Sequence, residues 1–260
     1  MDASKRKTIG WISLLVLLLL CLVGYLLLSR NQMYKDVAYT MSYHSDTLVT
    51  ASDLAAYADN YCPKVKGELK RNVSLPRLEK ALRRWPYADT VRITTDLKGV
   101  MHIEMVQAKV LLHVFNEKAS SFYLAKVGNS GRMLPYRPGR AVRVPVASGA
   151  IPDTCRPDVV MEWQDSTICY DLMVLADYID RNPFWKAQTS QIHVLGKGRY
   201  QLAPVVGNHL VDLGDIRQLD RKFNNLWKVY YQGFNVTGWQ RYRKVSLQFG
   251  DRVPCEKRNI

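Results

Sequence analysis

Ile9 to Leu28 reads IGWISLLVLLLLCLVGYLLL, twenty residues without a charge, and this run constrains the chain more than any other feature. About 20 apolar residues in a helix cross the roughly 30 Å hydrocarbon layer of a bilayer. A helix also satisfies its own backbone hydrogen bonds, which lipid cannot do. The run therefore predicts a transmembrane helix over 9–28, with Ile9, Trp11, Leu15, Leu19 and Leu28 among its anchoring residues. Lys5, Arg6 and Lys7 sit just before it, while Arg30 and Lys35 follow more sparsely. The positive-inside tendency then keeps residues 1–8 in the cytoplasm as a short tail and sends the remainder across. A cleaved signal peptide is the competing reading, but its apolar region usually covers about 7–15 residues and ends at a small-x-small site. Here Leu26, Leu27, Leu28 and Ser29 follow a full span. Cys21 lies mid-span after four leucines and reads as a packing residue.

The 232 residues after Leu28 suffice for one large or two ordinary domains. Hydrophobic residues at 47% can build buried cores. Setting aside the first eight residues removes three basic and one acidic side chain, leaving 34 basic against 22 acidic, or +12. That sign suits anionic partners or lipid headgroups. Nucleic acid fits poorly, because the basic residues are scattered (Lys64, Lys66, Lys70, Arg71; Arg83, Arg84; Arg241, Arg243, Lys244) and the exoplasmic compartment is wrong for it. Cys62, Cys155, Cys169 and Cys255 lie where disulfides persist, and four cysteines allow three pairings. Cys155 with Cys169 closes the shortest loop. Without a CxxC or a repeated metal spacing, bridges and free buried thiols both stay open.

Tyr34–Tyr43 has the composition of a half-buried strand. Ser52 or Asp53 can cap a short helix through Asn60, and Ser74 a second in which Leu75, Leu78, Leu82 and Trp85 recur at helical spacing. Pro76 is tolerated in its first turn and Pro86 ends it. A hairpin follows, with arms at 88–95 and 100–106 around Asp96–Gly99, and Met101, Ile103 and Met105 alternate with His102 and Glu104. Strand, helix, helix, strand, strand is the order of a POTRA module, assigned to 33–107.

A second, β-rich domain is assigned to 108–255, with 256–260 as a tail. Its expected strands are 109–115, 122–126, 140–149, 191–195 and 200–206, with a turn at Gly128–Gly131. Helices are expected at Ile168–Asp180, on the pattern Leu172, Leu175, Ala176 and Ile179, and after a capping-box-like start at Asp215 and Gln218. The latter carries Leu219, Phe223, Leu226, Trp227 and Tyr230 on one face and stops at Gly233. Tyr242–Phe249 is expected as the last strand, with Val245, Leu247 and Phe249 on one side. The fold class is α+β: one transmembrane helix, a β-α-α-β-β module, and a β domain with two to three helices.

The stretches LEKALRRWPYADTVRITTDLKGVMHIEM (78–105), RVPVASG (143–149), PVVGNHLVDLGD (204–215), KF (222–223) and GWQRYRKVSLQFGDRVPC (238–255) occur in one order over nearly the whole chain. Together they resemble the FtsQ/DivIB family of bacterial cell-division proteins, specifically its Bacteroidetes-type branch. The resemblance implies a non-catalytic, cofactor-free divisome scaffold in septal peptidoglycan synthesis that links early and late division proteins. It would be a single-pass protein of the inner membrane at the division septum, its C-terminal domain in the periplasm. The implied partners are FtsB/DivIC-like and FtsL-like bitopic proteins, bound through the β domain, and the FtsW/FtsI-type synthase in a larger complex. Two departures stand out. Ala108, Lys109 and Val110 occupy a junction where the family commonly carries Arg-x-Pro, and Phe249 stands where relatives often place Tyr.

An edge strand near the chain end can be extended by a partner's strand. On that basis Val245, Leu247, Gln248, Phe249 and Asp251 form the expected contact set, backbone pairing giving affinity and Gln248 and Phe249 selection. A second reading turns Val245, Leu247 and Phe249 to the core and leaves only Ser246 and Gln248 free. The rival function is a membrane-anchored periplasmic cell-wall enzyme with an accessory POTRA module. It needs a convergent acid, base or metal cluster, for which His209, Asp212 and Asp215 are the nearest candidates. His44, His102, His113, His193 and His209 show no HExxH or close pair, Gly128–Gly131 is no GxSxG elbow, and Gly-Lys-Gly at 196–198 is no phosphate loop. A POTRA assembly factor for outer-membrane barrels would bring tandem modules or a barrel, and one module is read here.

Overall fold

The computed structural model describes residues 3–30, 32–44, 46–60, 65–118, 120–157 and 167–258. Helix α1 covers Ala3–Arg30, and its side chains are described at 11, 12 and 14–25, where the large apolar ones, Trp11, Leu15 and Leu19 among them, are exposed. The side chains of Ile9 and Leu28 lie outside the described residues, as does Cys62. Among the described residues no helix is long and apolar enough to cross a membrane.

The chain divides into two compact units, one of Met1–Ser42, Val49–Trp85 and Val91–Met105, the other of Tyr43–Leu48, Pro86–Thr90 and Val106–Ile260. The first unit takes in β1 (Asp36–Ser42), α2 (Ala51–Asp59), α3 (Leu75–Leu82) and the larger parts of β2 (Ala88–Thr95) and β3 (Val100–Gln107), in that order, and the strands form a sheet ordered β1-β3-β2. Helix α2 starts one residue before the expected cap. Thr50 Oγ1 accepts from Asp53 N, and the Asp53 carboxylate accepts from Thr50 N at 2.8 Å, a reciprocal capping box. Leu54, Ala58, Leu78 and Leu82 are buried with Met101, Ile103 and Met105, so the alternation along β3 does turn one side inward. Tyr57 stacks on Trp85 at 5.2 Å between ring centres. The hairpin turn holds because Gly99 adopts φ +87° and the Asp96 carboxylate accepts from Val100 N at 2.8 Å.

The second unit is built on a nine-stranded sheet. Its strands are β4 (Lys109–Phe115), β5 (Ser121–Val127), β6 (Ser130–Pro135), β7 (Val146–Gly149), β8 (Thr189–Gly196), β9 (Arg199–Pro204), β10 (Leu210–Gly214), β11 (Tyr242–Ser246) and β12 (Cys255–Lys257), in the order β12-β11-β10-β9-β8-β7-β4-β5-β6. The β4/β7, β7/β8 and β10/β11 pairs are parallel and the rest antiparallel. Helices α4 (Ile168–Arg181), α5 (Pro183–Gln188) and α6 (Leu219–Lys228) share one core with it, in which Leu172, Leu175, Ala176 and Ile179 of α4 meet Phe223 and Leu226 of α6. Cys155 and Cys169 are joined by a disulfide, while Cys21 and Cys255 are free thiols.

Several expectations are corrected. The strand expected at 140–149 is only β7, since Pro145 has no N–H to give; its carbonyl still accepts from His113 N at 3.0 Å. Gly149, at φ +107°, could carry no side chain, because a Cβ there would fall 2.2 Å from the Val194 carbonyl oxygen. Gly128 and Asn129 do turn the chain, and β6 follows them unforeseen, as do β10 and α5, whose cap is Asn182. Helix α6 is not opened by a capping box: Gln218 precedes it at φ +56° without a side-chain bond. Gly233 does not end it either. A π-helical segment, Val229–Phe234, carries the chain through that glycine, and the rotation stops at Gly238, φ +95°. Trp227, expected on the buried face, is 43% exposed.

At the junction 108–110, Lys109 donates to Asp180 of α4, which also accepts from Lys186 at 2.7 Å. Burial pushes the Asp180 carboxyl up, but the two ammonium groups outweigh it and hold it below the ordinary 3.8. A carboxyl depressed in the folded state contributes stability that is complete above 3.8 and lost as pH falls through its folded value. Asp180→Asn should therefore lower urea stability at pH 7 by about 1–3 kcal/mol. The gap to the parent should close well below pH 3.8; a gap that persists there would show the ion pairs to be idle.

Candidate functional site

An open sheet has two edges, and each presents N–H and C=O groups that need partners. At the β6 edge the segment Pro86–Thr90 is tied alongside, chiefly through side chains. Arg132 of β6 donates to the carbonyls of Pro86 and Ala88 at 3.1 and 3.0 Å, Tyr87 Oη donates to Pro135 O at 3.2 Å, and Gly128 N donates to the Asp89 carboxylate at 2.9 Å. Met133 and Leu134 are buried.

The other edge is β12, and among the described residues no strand lies beyond it. Pro254 O accepts from Ser246 N and Arg258 N donates to Arg241 O, both at 2.9 Å, so residues 254, 256 and 258 turn their backbone toward β11. Backbone groups alternate in direction along a strand. Cys255 and Lys257 therefore direct both N–H and C=O to the open side. Burial raises the Cys255 thiol above its ordinary value, keeping it neutral.

The expectation that Tyr242–Phe249 is the last strand and lies at an edge is corrected by this pairing. Strand β11 ends at Ser246 and is flanked by β10 on one side and β12 on the other. Val245 and Leu247 are core residues, 0% and 2% exposed. Leu247 N donates to Asp212 O at 2.9 Å. Gln248, Phe249 and Asp251 are exposed on the turn joining β11 to β12, Phe249 at 61%. Asn225 of α6 holds that turn by donating to Gly250 O at 3.1 Å. The set thus splits into two core residues and three on the rim of the open edge. Cys255, Glu256 and Lys257 were missed. Three residues after a proline carry too little pattern to read as a strand.

Charge around this edge is mostly positive. Arg241, Arg243, Arg252 and Lys257 are exposed, against Asp251 and Glu256. Arg243 pairs with Glu256 across the β11/β12 step, and Lys244 with Asp212 at 2.8 Å.

The three candidates for chemistry are each engaged elsewhere. His209 Nε2 shares a 2.9 Å hydrogen bond with Tyr230 Oη, and burial pushes its pKa down to about 4. Asp212 is held by Lys244, and Asp215 by Lys222 and Arg217 at 2.8 and 2.6 Å. No group of three metal-capable His, Cys, Asp or Glu side chains exists among the described residues.

The sequence model of a family described as FtsQ/DivIB, C-terminal related, matches residues 110–256, from β4 into β12. No curated protein matches the chain.

The division of the contact set into core and rim is measurable. Leu247→Ala should cost about 2–5 kcal/mol of urea stability as a buried truncation. Phe249→Lys should stay within about 0.5 kcal/mol of the parent. Equal losses would contradict the burial difference between the two positions.

Proposed function

This chain belongs to the FtsQ/DivIB family, and on that premise we propose that it is a non-catalytic divisome scaffold whose β12 edge receives a strand from a bitopic partner. A role in cell division follows from the family. The observation that carries the finer reading is the end strand β12, whose Cys255 and Lys257 turn their N–H and C=O groups to the open side, whereas at the β6 end the Arg132 side chain and the Tyr87 hydroxyl hold the segment Pro86–Thr90 alongside. Strand addition there gives affinity through main-chain hydrogen bonds and leaves selection to the side chains around it. Exposed Arg241, Arg243, Arg252 and Lys257 favour an acidic partner segment, and Phe249 offers an apolar contact at the rim. The partners in this reading are FtsB/DivIC-like and FtsL-like proteins, with the FtsW/FtsI-type synthase in the larger assembly.

Helix α1 serves as the single-pass anchor of this scaffold. Its described apolar side chains are exposed, and a helix apolar all round is stable only in an apolar medium or a core. Lys5, Arg6 and Lys7 keep its N-terminus in the cytoplasm. The Cys155–Cys169 disulfide supports an oxidising compartment for the second unit, as the periplasm is. The first unit, from its element order β1-α2-α3-β2-β3, is a POTRA module used for recruitment to the septum.

Lys257→Pro removes an outward N–H while sparing the β11 ladder, a change edge strands tolerate. The full-length variant in detergent should lose capture of an FtsB/FtsL-like pair and keep its melting temperature. Undiminished capture would remove β12 from the interface. Depletion in the native host should give filaments blocked at septation, and normal division without the protein would sink the scaffold reading.

A further inference from the structure

Where α6 begins, the chain surrounds a cavity of about 440 Å³ lined by Gly198, Gly214, Asp215, Arg217, Gln218, Arg221, Lys222 and Gln248. Its size falls within the range of small-molecule sites, about 300–1,000 Å³. Three cations and one carboxylate face it, and the carboxylate is already committed. Asp215 accepts from Lys222 Nζ at 2.8 Å, from Arg217 Nε at 2.6 Å and from Arg217 N at 3.1 Å. Lys222, almost wholly buried, also donates to the Asp215 carbonyl at 2.7 Å. Burial raises the Asp215 carboxyl, yet the Lys222 and Arg217 hydrogen bonds outweigh it and keep it ionised.

Two positive charges remain in excess, and one donor is unspent: Arg221 Nε is buried and has no hydrogen-bond partner among the described residues. A buried donor left unpaired is costly, and native structures rarely keep one without a ligand or water to meet it. Guanidinium forks match planar and tetrahedral oxyanions with paired donors, which an ammonium cannot do. The Gln248 amide lies against Gly214, whose φ of +69° and missing Cβ admit it, and adds a neutral donor to the wall.

We propose that this cavity binds a small oxyanion, a carboxylate or a phosphate group, held by Arg221 and Arg217 with Gln248 beside them. The site shares Gln248 with the rim of the β12 edge, but it is read without any partner and does not depend on the scaffold reading.

Full-length protein in detergent is titrated calorimetrically with inorganic phosphate and with glutarate, at ionic strength matched with chloride. Saturable binding of at least one anion is expected, and Arg221→Gln should weaken it tenfold or more. Arg92→Gln, at an exposed arginine of β2, should leave it unchanged. Tighter phosphate binding identifies a phosphate-bearing ligand, and tighter glutarate binding a carboxylate. Should Arg221→Gln lose its circular-dichroism spectrum, Arg217→Gln, at a side chain 87% exposed, reports the same loss without a folding penalty. No saturable binding of either anion at millimolar concentration, or equal weakening by Arg92→Gln, overturns the proposal.

Discussion

The hydrogen-bonding capacity of a sheet edge is the constraint on which the second unit depends. Seven of its strands are flanked on both sides, and the two at the ends are not. At one end Arg132 holds the segment Pro86–Thr90 alongside β6 by reaching the Pro86 and Ala88 carbonyls, a task for a long side chain with several donors in a fixed plane. The other end is kept short and charged, with three residues and Lys257 and Glu256 on it. Brevity and charge are how proteins keep an edge from indiscriminate pairing, so this edge is guarded rather than closed.

That edge is held in place by the core behind it. Val245 and Val211 sit opposite each other in the β10/β11 register, both buried with Phe223, Leu226, Tyr230 and Phe234. Phe234 stacks on Tyr242 at 4.7 Å, which ties the far end of the α6 path to the first residue of β11. The π-helical passage through Gly233 is what brings Phe234 there: five residues separate bonded groups in that segment instead of four, shifting the side chains that follow. At the other end of α6, Lys222 and Asp215 lock the helix start to the strand end at Gly214, while Asn225 holds the turn that leads to β12.

The elements legible in the sequence are those whose signals are local. The Asp96–Gly99 hairpin, the buried face of α4 and the β4 limits need only a turn residue and a period. The elements that escaped are fixed by non-local partners. Strand β10 is preceded by the glycine and asparagine of a loop and owes its pairing to β9 and β11. Gly233 carries a stop signal that tertiary packing of Tyr230 and Phe234 overrides. Gln218 adopts a left-handed conformation more usual for glycine or asparagine, which no propensity foretells. Within the candidate site, alternation did identify Val245 and Leu247 as facing one way, but alternation cannot say whether a strand has a neighbour on each side.

That missing information changes how recognition would work under the proposed strand addition at β12. If Val245 and Leu247 were on an open edge strand, their side chains could specify the partner through apolar pockets. Buried as they are, they specify only where β11 sits, and β11 in turn fixes β12 through Ser246 and Arg241. Any strand can satisfy the outward N–H and C=O groups of Cys255 and Lys257, so those groups supply strength without discrimination. Discrimination then falls to what surrounds them: the excess of arginine and lysine, the Arg243–Glu256 pair whose carboxylate a competing acidic residue would displace, and Phe249 on a turn held by Asn225. A partner lacking acidic residues forgoes the attraction of that surround, and one carrying lysines meets like charge directly across the new pair.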